Sequence, residues 1–145
     1  MEPSSSGTTS LVKRFDNMGI AVNDLSTMET FYQDVLGAQI LPMEGFSGKA
    51  FRMVLGGVLF FVFQTSNPTR HGRTIEALLP NPPGYDHLVF DVENIVAAQT
   101  WLGSHGIAVA IEDLSVPELG VFHYLRFRDP EGNLLGLRQP KPTNA

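Results

Sequence analysis

The chain repeats itself, and the repeat limits the fold more than any other feature. Asn17, Val22, Asp24, Leu25 and Phe31 recur 70 residues later as His87, Val92, Asn94, Ile95 and Trp101. Gly37 recurs as Gly106 at an offset of 69, and Gly57 as Gly132 at an offset of 75. Self-similarity at near-constant spacing marks a unit that was copied and then altered in its connections. At 145 residues the chain is one domain of ordinary size, so the two units must build one site.

Each unit reads as strand, helix and three strands. In the first, Phe15–Val22 alternates Met18, Ile20 and Val22 against Asn17, Gly19 and Ala21, the period of a strand. Asp24 stands at an N-cap position, and Ser26 with Glu29 fits a capping box. Leu25, Met28, Phe31, Tyr32, Val35 and Leu36 recur at helical spacing, and Gly37 suits the left-handed residue that ends a helix. Ala38–Met43 is a short strand broken at Pro42. Lys49–Leu55 and Val58–Gln64 form a hairpin about Gly56-Gly57. The second unit runs Asp86–Val92 as a strand. A helix follows from Asn94, carrying Ile95, Ala98, Trp101, Leu102 and His105, and stops at Gly106. Ile107–Leu114, Val121–Arg128 and Asn133–Gln139 are strands, with a tight turn at Asp129–Gly132.

The fold class is therefore α+β, with two tandem βαβββ modules. We expect a disordered lead (1–14), one domain (15–139) and a polar tail (140–145). The domain divides into module one (15–64), a linker (65–84) and module two (85–139). The linker holds Pro68, Pro80, Pro82 and Pro83, with a helical turn predicted at Thr74–Leu79. It reads either as a solvated loop or as a flap over a ligand.

Composition closes off several functions. A net charge of −5 offers no basic surface to nucleic acid. The absence of cysteine rules out disulfides, thiolate metal sites and a thiol nucleophile. No apolar run approaches the roughly 20 residues that span a bilayer. The first residues show no charged segment ahead of an apolar one, so no secretory signal is read there. A cytoplasmic protein with neither nucleic-acid nor membrane partners is expected. No nucleophile elbow, phosphate loop or dinucleotide fingerprint is present.

The plan resembles the vicinal oxygen chelate superfamily, which includes glyoxalase I, methylmalonyl-CoA epimerase, extradiol dioxygenases, fosfomycin-modifying enzymes and bleomycin-resistance proteins. The resemblance spans about Phe15 to Gln139. It is carried by Gly19-Ile20-Ala21-Val22-Asn23-Asp24-Leu25, by Phe31-Tyr32-Gln33-Asp34-Val35-Leu36-Gly37 and by Asp129-Pro130-Glu131-Gly132-Asn133. It implies mixed sheets that curl into one open cup, the glyoxalase/bleomycin-resistance-like fold. It also implies metal ligands on the first and last strand of each module. Those positions here are Asn17, Phe61, His87 and Gly136. Only His87 is a strong ligand; Asn17 is a weak oxygen donor, Phe61 has no donor atom and Gly136 has no side chain. A divalent ion needs about three protein ligands, so no metal and no cofactor are expected. The resemblance also implies a homodimer.

Strand alternation then assigns the cup face. His87, Arg126 and Tyr124 are the candidate catalytic residues. Asn17, Phe51, Phe61, Phe63, Asp91, Phe122 and Gly136 are the candidate ligand-binding residues. The phase of Phe51 and Arg126 leans on the family's register. His87 is either an inherited histidine satisfied by a neighbour or a general acid/base, because imidazole titrates near neutrality. Arg126 is either a rim charge paired with Asp91 or Glu131, or a clamp for a carboxylate, enolate or phenolate. Tyr124 is wall, or a donor to a developing oxyanion. The phenylalanines are core, or stack on a flat ligand. Gly136 leaves room for ligand where a carboxylate once sat.

Three functions follow. The first is a metal-independent lyase, isomerase or cyclase acting on a small aromatic or polyketide-like molecule, with His87 as acid/base. The second is a protein that sequesters a drug or metabolite, as in the bleomycin-resistance branch. The third is a metal-dependent glyoxalase-, epimerase- or dioxygenase-like enzyme.

Overall fold

Each helix is started by a short polar side chain that turns the preceding strand. A computed structural model describes residues 10–43, 45–118 and 120–140; of the expected lead (1–14) and tail (140–145), residues 1–9 and 141–145 lie outside the described residues. Ser10–Asp16 are irregular and exposed. β1 (Asn17–Val22) leads to α1 (Leu25–Asp34), then β2 (Gln39–Leu41), a 3₁₀ turn (Phe46–Gly48), β3 (Ala50–Leu55) and β4 (Val58–Gln64). β5 (His87–Asp91) leads to α2 (Ile95–Ser104), β6 (Glu112–Val116), β7 (Gly120–Arg128) and β8 (Leu134–Pro140). Asp24 caps α1 by accepting from the Thr27 N–H at 3.0 Å, and Asn94 caps α2 by accepting from the Ala97 N–H at 3.0 Å. The N-cap is thus Asp24 alone, and Ser26 with Glu29 is not the capping pair.

The strands form two four-stranded mixed sheets, ordered β1-β4-β3-β2 and β5-β8-β7-β6. In each, the first strand pairs parallel to the last, and the other pairings are antiparallel. This is the α+β architecture predicted from the repeat. One continuous core joins both halves, with Val22, Met28, Met53 and Leu125 wholly buried.

The turn at Asp129–Gly132 fastens the two halves together. The carboxylate of Asp129, 4% exposed, accepts from the Tyr32 hydroxyl of α1 at 2.7 Å and from the Glu131 and Asn133 N–H groups at 3.0 Å. Burial pushes the Tyr32 phenol far up, and the neighbouring Asp129 charge adds to it. Glu131 accepts from the Asn23 and Asp24 N–H groups at 2.7–2.9 Å, covering the start of α1. Elsewhere the Gly56 turn lies against Phe90 of β5. A Cβ at residue 56 would fall 2.7 Å from that ring, so glycine is required there for close approach as well as for φ of +59°. The exposed Trp101 indole donates to the Val35 carbonyl at 2.7 Å.

The connection between the sheets contains no helical turn at Thr74–Leu79. Instead the Asn81 side chain brackets it, accepting from the Thr74 N–H at 2.7 Å and donating to the Thr74 carbonyl at 3.2 Å. The prolines at 80, 82 and 83 withhold the donors a helix would need.

Candidate functional site

The parallel pairing of β5 with β8 puts His87 opposite Leu134, Val89 opposite Gly136 and Asp91 opposite Arg138. The β7–β8 pairing adds Tyr124 opposite Arg138 and Arg126 opposite Gly136. Paired residues share a face, so the alternation places His87, Tyr124 and Arg126 on one side of this sheet, as expected. Together with Phe122, Val89 and Leu114 they line a cavity of about 540 Å³. Ile75 and Leu78 of the connection also line it. Arg126 donates to the Ile75 carbonyl at 2.8 Å, and Arg128 donates to the Arg73 carbonyl at 2.7 Å. The connection therefore supplies part of the cavity's wall.

His87 is held from the side. Its Nδ1 lies 2.7 Å from Asp86 Oδ2, while Asp86 Oδ1 accepts from Arg73 and from the Asn81 amide, both at 2.9 Å. The hydrogen bond from His87, with further bonds from Asn81 and Arg73, keeps the Asp86 carboxyl below the ordinary carboxylate value. An ionised Asp86 can only accept, so Nδ1 carries the proton. Among the described residues Nε2 has no hydrogen-bond partner. A second cavity, of about 380 Å³, is lined by β1, the connection and the start of β5. His87 and Leu134 belong to the walls of both. Sequence reasoning missed Asp86, whose signal was its place just before the histidine, at the end of a loop.

Arg126 pairs with a carboxylate other than the two expected. It makes a two-pronged pair with Glu112, from Nε at 3.1 Å and Nη2 at 2.8 and 3.0 Å, and pairs with neither Asp91 nor Glu131. Asp91 accepts instead from Arg138 at 2.9 Å, and the Arg138 guanidinium lies 5.5 Å from the centre of the Phe122 ring. Tyr124 is half-buried. Burial raises its phenol; the nearby Arg126 pulls the other way, while Glu112 and Asp86 push it further up. It therefore keeps its proton at neutral pH and can donate.

Gly136 does not leave the space expected of it. A Cβ there would lie 2.6 Å from Cζ and 2.7 Å from Cε1 of Tyr124, and closer still to the hydroxyl. The phenol occupies the vacated position. Phe51 is also misplaced by the sequence reading. It pairs with Val62, is 3% exposed and belongs to the core, so the cup face of β3 is Ala50, Arg52 and Val54. Phe61 and Phe63 do share the Asn17–Gly19 face, and stack on each other at 5.6 Å. Phe46 covers Phe61 at 5.3 Å. These rings pave the first sheet but line neither cavity at His87. Asn17 lies outside both cavities as well and donates to Asp16 at 2.8 Å.

The family model of the glyoxalase/bleomycin resistance protein/dioxygenase superfamily matches residues 14–137. The chain belongs to this superfamily. Among solved structures, a glyoxalase family protein from Enterococcus faecalis is 22% identical with a TM-score of 0.68, over 89% of this chain and 99% of that one. A fosfomycin resistance protein from Listeria monocytogenes is 13% identical with a TM-score of 0.64, over 93% of this chain and 97% of that one. A virulence protein from Salmonella typhimurium is 22% identical with a TM-score of 0.64, over 90% and 98%. At these identities the likeness concerns the fold. No curated protein matches the chain.

The superfamily's metal positions can be tested on these side chains. Asn17 is bound to Asp16, Phe61 is packed between the Phe46 and Phe63 rings, and Tyr124 fills the space at Gly136. His87 alone offers a strong donor. Among the described residues no three histidine, aspartate or glutamate groups gather to hold an ion. This donor set does not fit a divalent cation at the superfamily's position. No described helix is long and apolar enough to cross a membrane.

Proposed function

We propose that this superfamily member binds a small organic molecule in the cup of its second sheet. His87 exchanges a proton with that molecule without the help of a metal ion, in chemistry of the lyase, isomerase or cyclase type. One observation carries the reading: Asp86, itself anchored by Arg73 and Asn81, grips His87 Nδ1 at 2.7 Å. Such a grip fixes the tautomer and ring orientation and stabilises the imidazolium formed when Nε2 takes a proton. Tyr124 supplies a protonated hydroxyl for negative charge that develops on the ligand. The apolar walls from Val89, Leu114, Val116 and Phe122 hold the body of the ligand and exclude water.

A second reading, sequestration without chemistry, is favoured by the Arg126–Glu112 pair. That pair leaves the Arg126 guanidinium already neutralised. The two readings separate in heavy water. The molecule that copurifies, identified by native mass spectrometry, is incubated with the protein in D₂O and its C–H signals are followed by proton NMR. The enzyme reading predicts exchange at one carbon, slowed about 10²–10⁴-fold in His87→Gln. Tight binding with no exchange and no product supports sequestration instead.

A further inference from the structure

The second cleft at His87 differs in character from the cup, and the function proposed above leaves it unused. Arg70, His71 and Arg73 of the connection and Arg128 at the end of β7 all line it. The only acidic group in its wall among the described residues is Asp86, and Arg73, Asn81 and His87 already occupy that carboxylate. Arg70 faces Glu131 at 3.1 Å. Arg128 is in a different situation. Two backbone carbonyls hold its guanidinium, Gly132 at 3.0 Å and Arg73 at 2.7 Å. Carbonyls orient a cation without cancelling its charge. Glu76 is within electrostatic range, but its close contact is with Thr74, and it forms no ion pair with Arg128. The guanidinium has five N–H groups, and only two bonds are made here. It is a positioned cation with donors to spare.

We infer that this cleft is an anion subsite anchored by Arg128, and that the ligand of the protein is an amphipathic organic anion. Its apolar body lies in the cup, and its carboxylate, sulfonate or phosphate lies against Arg128. The inference rests on the cup being a ligand site, as proposed above, and adds the class of ligand. The two cavities share His87 and Leu134 in their walls, so the atoms joining head to body lie at the imidazole. The carbon next to the anionic group is then the one presented to Nε2. Arg128 lies two positions beyond Arg126 on the same strand and the same face, and takes the clamp role that was one of the two readings of Arg126.

The test uses two probes of equal shape, 2-naphthoate and 2-naphthamide, titrated into the ¹⁵N-labelled full chain and followed by NMR. Naphthoate is expected to bind about tenfold more tightly, the scale of one charge-assisted interaction. Arg128→Met also loses the bond to the Arg73 carbonyl and can shift both probes together, so the readout is the ratio of the two affinities, which should fall to near one in Arg128→Met and be retained in Arg128→Lys. If Arg128→Met does not fold, the wild-type protein decides the matter. Added salt should weaken naphthoate and leave naphthamide unchanged. Equal affinities for the two probes in the wild type, or an unchanged ratio between them in Arg128→Met, would overturn the anion subsite and leave the cup reading intact. Binding of neither probe would overturn both.

Discussion

The phenol of Tyr124 stands where a side chain at residue 136 would have to be. These two residues lie on neighbouring strands, offset by two along the β7–β8 ladder, and they share the cup face. The space that loss of a carboxylate would open is thus closed by an aromatic ring, and a superfamily metal position becomes part of the cup's wall.

Placing a carboxylate side chain at residue 136 should therefore damage the protein. Gly136→Glu forces Tyr124 out of its place and is expected to cost about 1–3 kcal/mol, the range for overpacking. Tyr124→Ala in the same chain should recover part of that loss. A double-mutant cycle from urea denaturation measures the coupling. Additive effects would show that the two side chains do not compete for one space.

The Tyr32–Asp129 bond joins α1 to the turn of the other half while both groups are buried. Tyr32→Phe removes one donor from a buried carboxylate and should destabilise the fold by about 1.5–3 kcal/mol, the range for a hydrogen bond to a charged group. Denaturant unfolding of the variant checks this. A change within about 0.5 kcal/mol, the range for an ordinary surface substitution, would contradict it.

Asp86 gives the stability an acid limb. Its folded carboxyl lies below the ordinary value of 3.8, chiefly because of the hydrogen bond from His87. The unfolded chain then binds more protons, so stability rises with pH through this range. The contribution is fully present above the unfolded value and is lost as pH falls through the folded one. Urea midpoints for wild type and Asp86→Asn should lie apart above pH 3.8 and converge below it. A constant gap would remove the linkage.

The repeat made the fold legible, and alternation made the face of the second sheet legible. His87 alternates with Leu88 and Phe90, and Tyr124 with Leu125 and Phe127, so their phase could be read along the strand, whereas that of Arg126 leaned on the family's register. Phe51 could not be placed that way, because Ala50, Phe51, Met53 and Val54 are apolar on both faces of β3. Only Arg52, between Phe51 and Met53, hinted at the true phase. The partner of Arg126 depended on the β6–β7 register, which puts Glu112 opposite Tyr124. Register across a loop is a property of the folded pair and is not written in either strand. Asp86 was hidden for a different reason. Adjacent residues inside a strand point to opposite faces, but Asp86 precedes β5 and its backbone is free of that rule. The filling of Gly136 by Tyr124 was hidden as well, since a missing side chain announces space and not what occupies it.

The central claim is that Asp86 fixes His87 as a group able to take a proton at Nε2. Long-range ¹H–¹⁵N NMR of the imidazole tests it directly, because it reports which ring nitrogen carries the proton. In wild-type protein the neutral ring of His87 should be protonated at Nδ1 and bare at Nε2, and Asp86→Ala should abolish that preference. A neutral His87 protonated at Nε2 in the wild type would contradict the account.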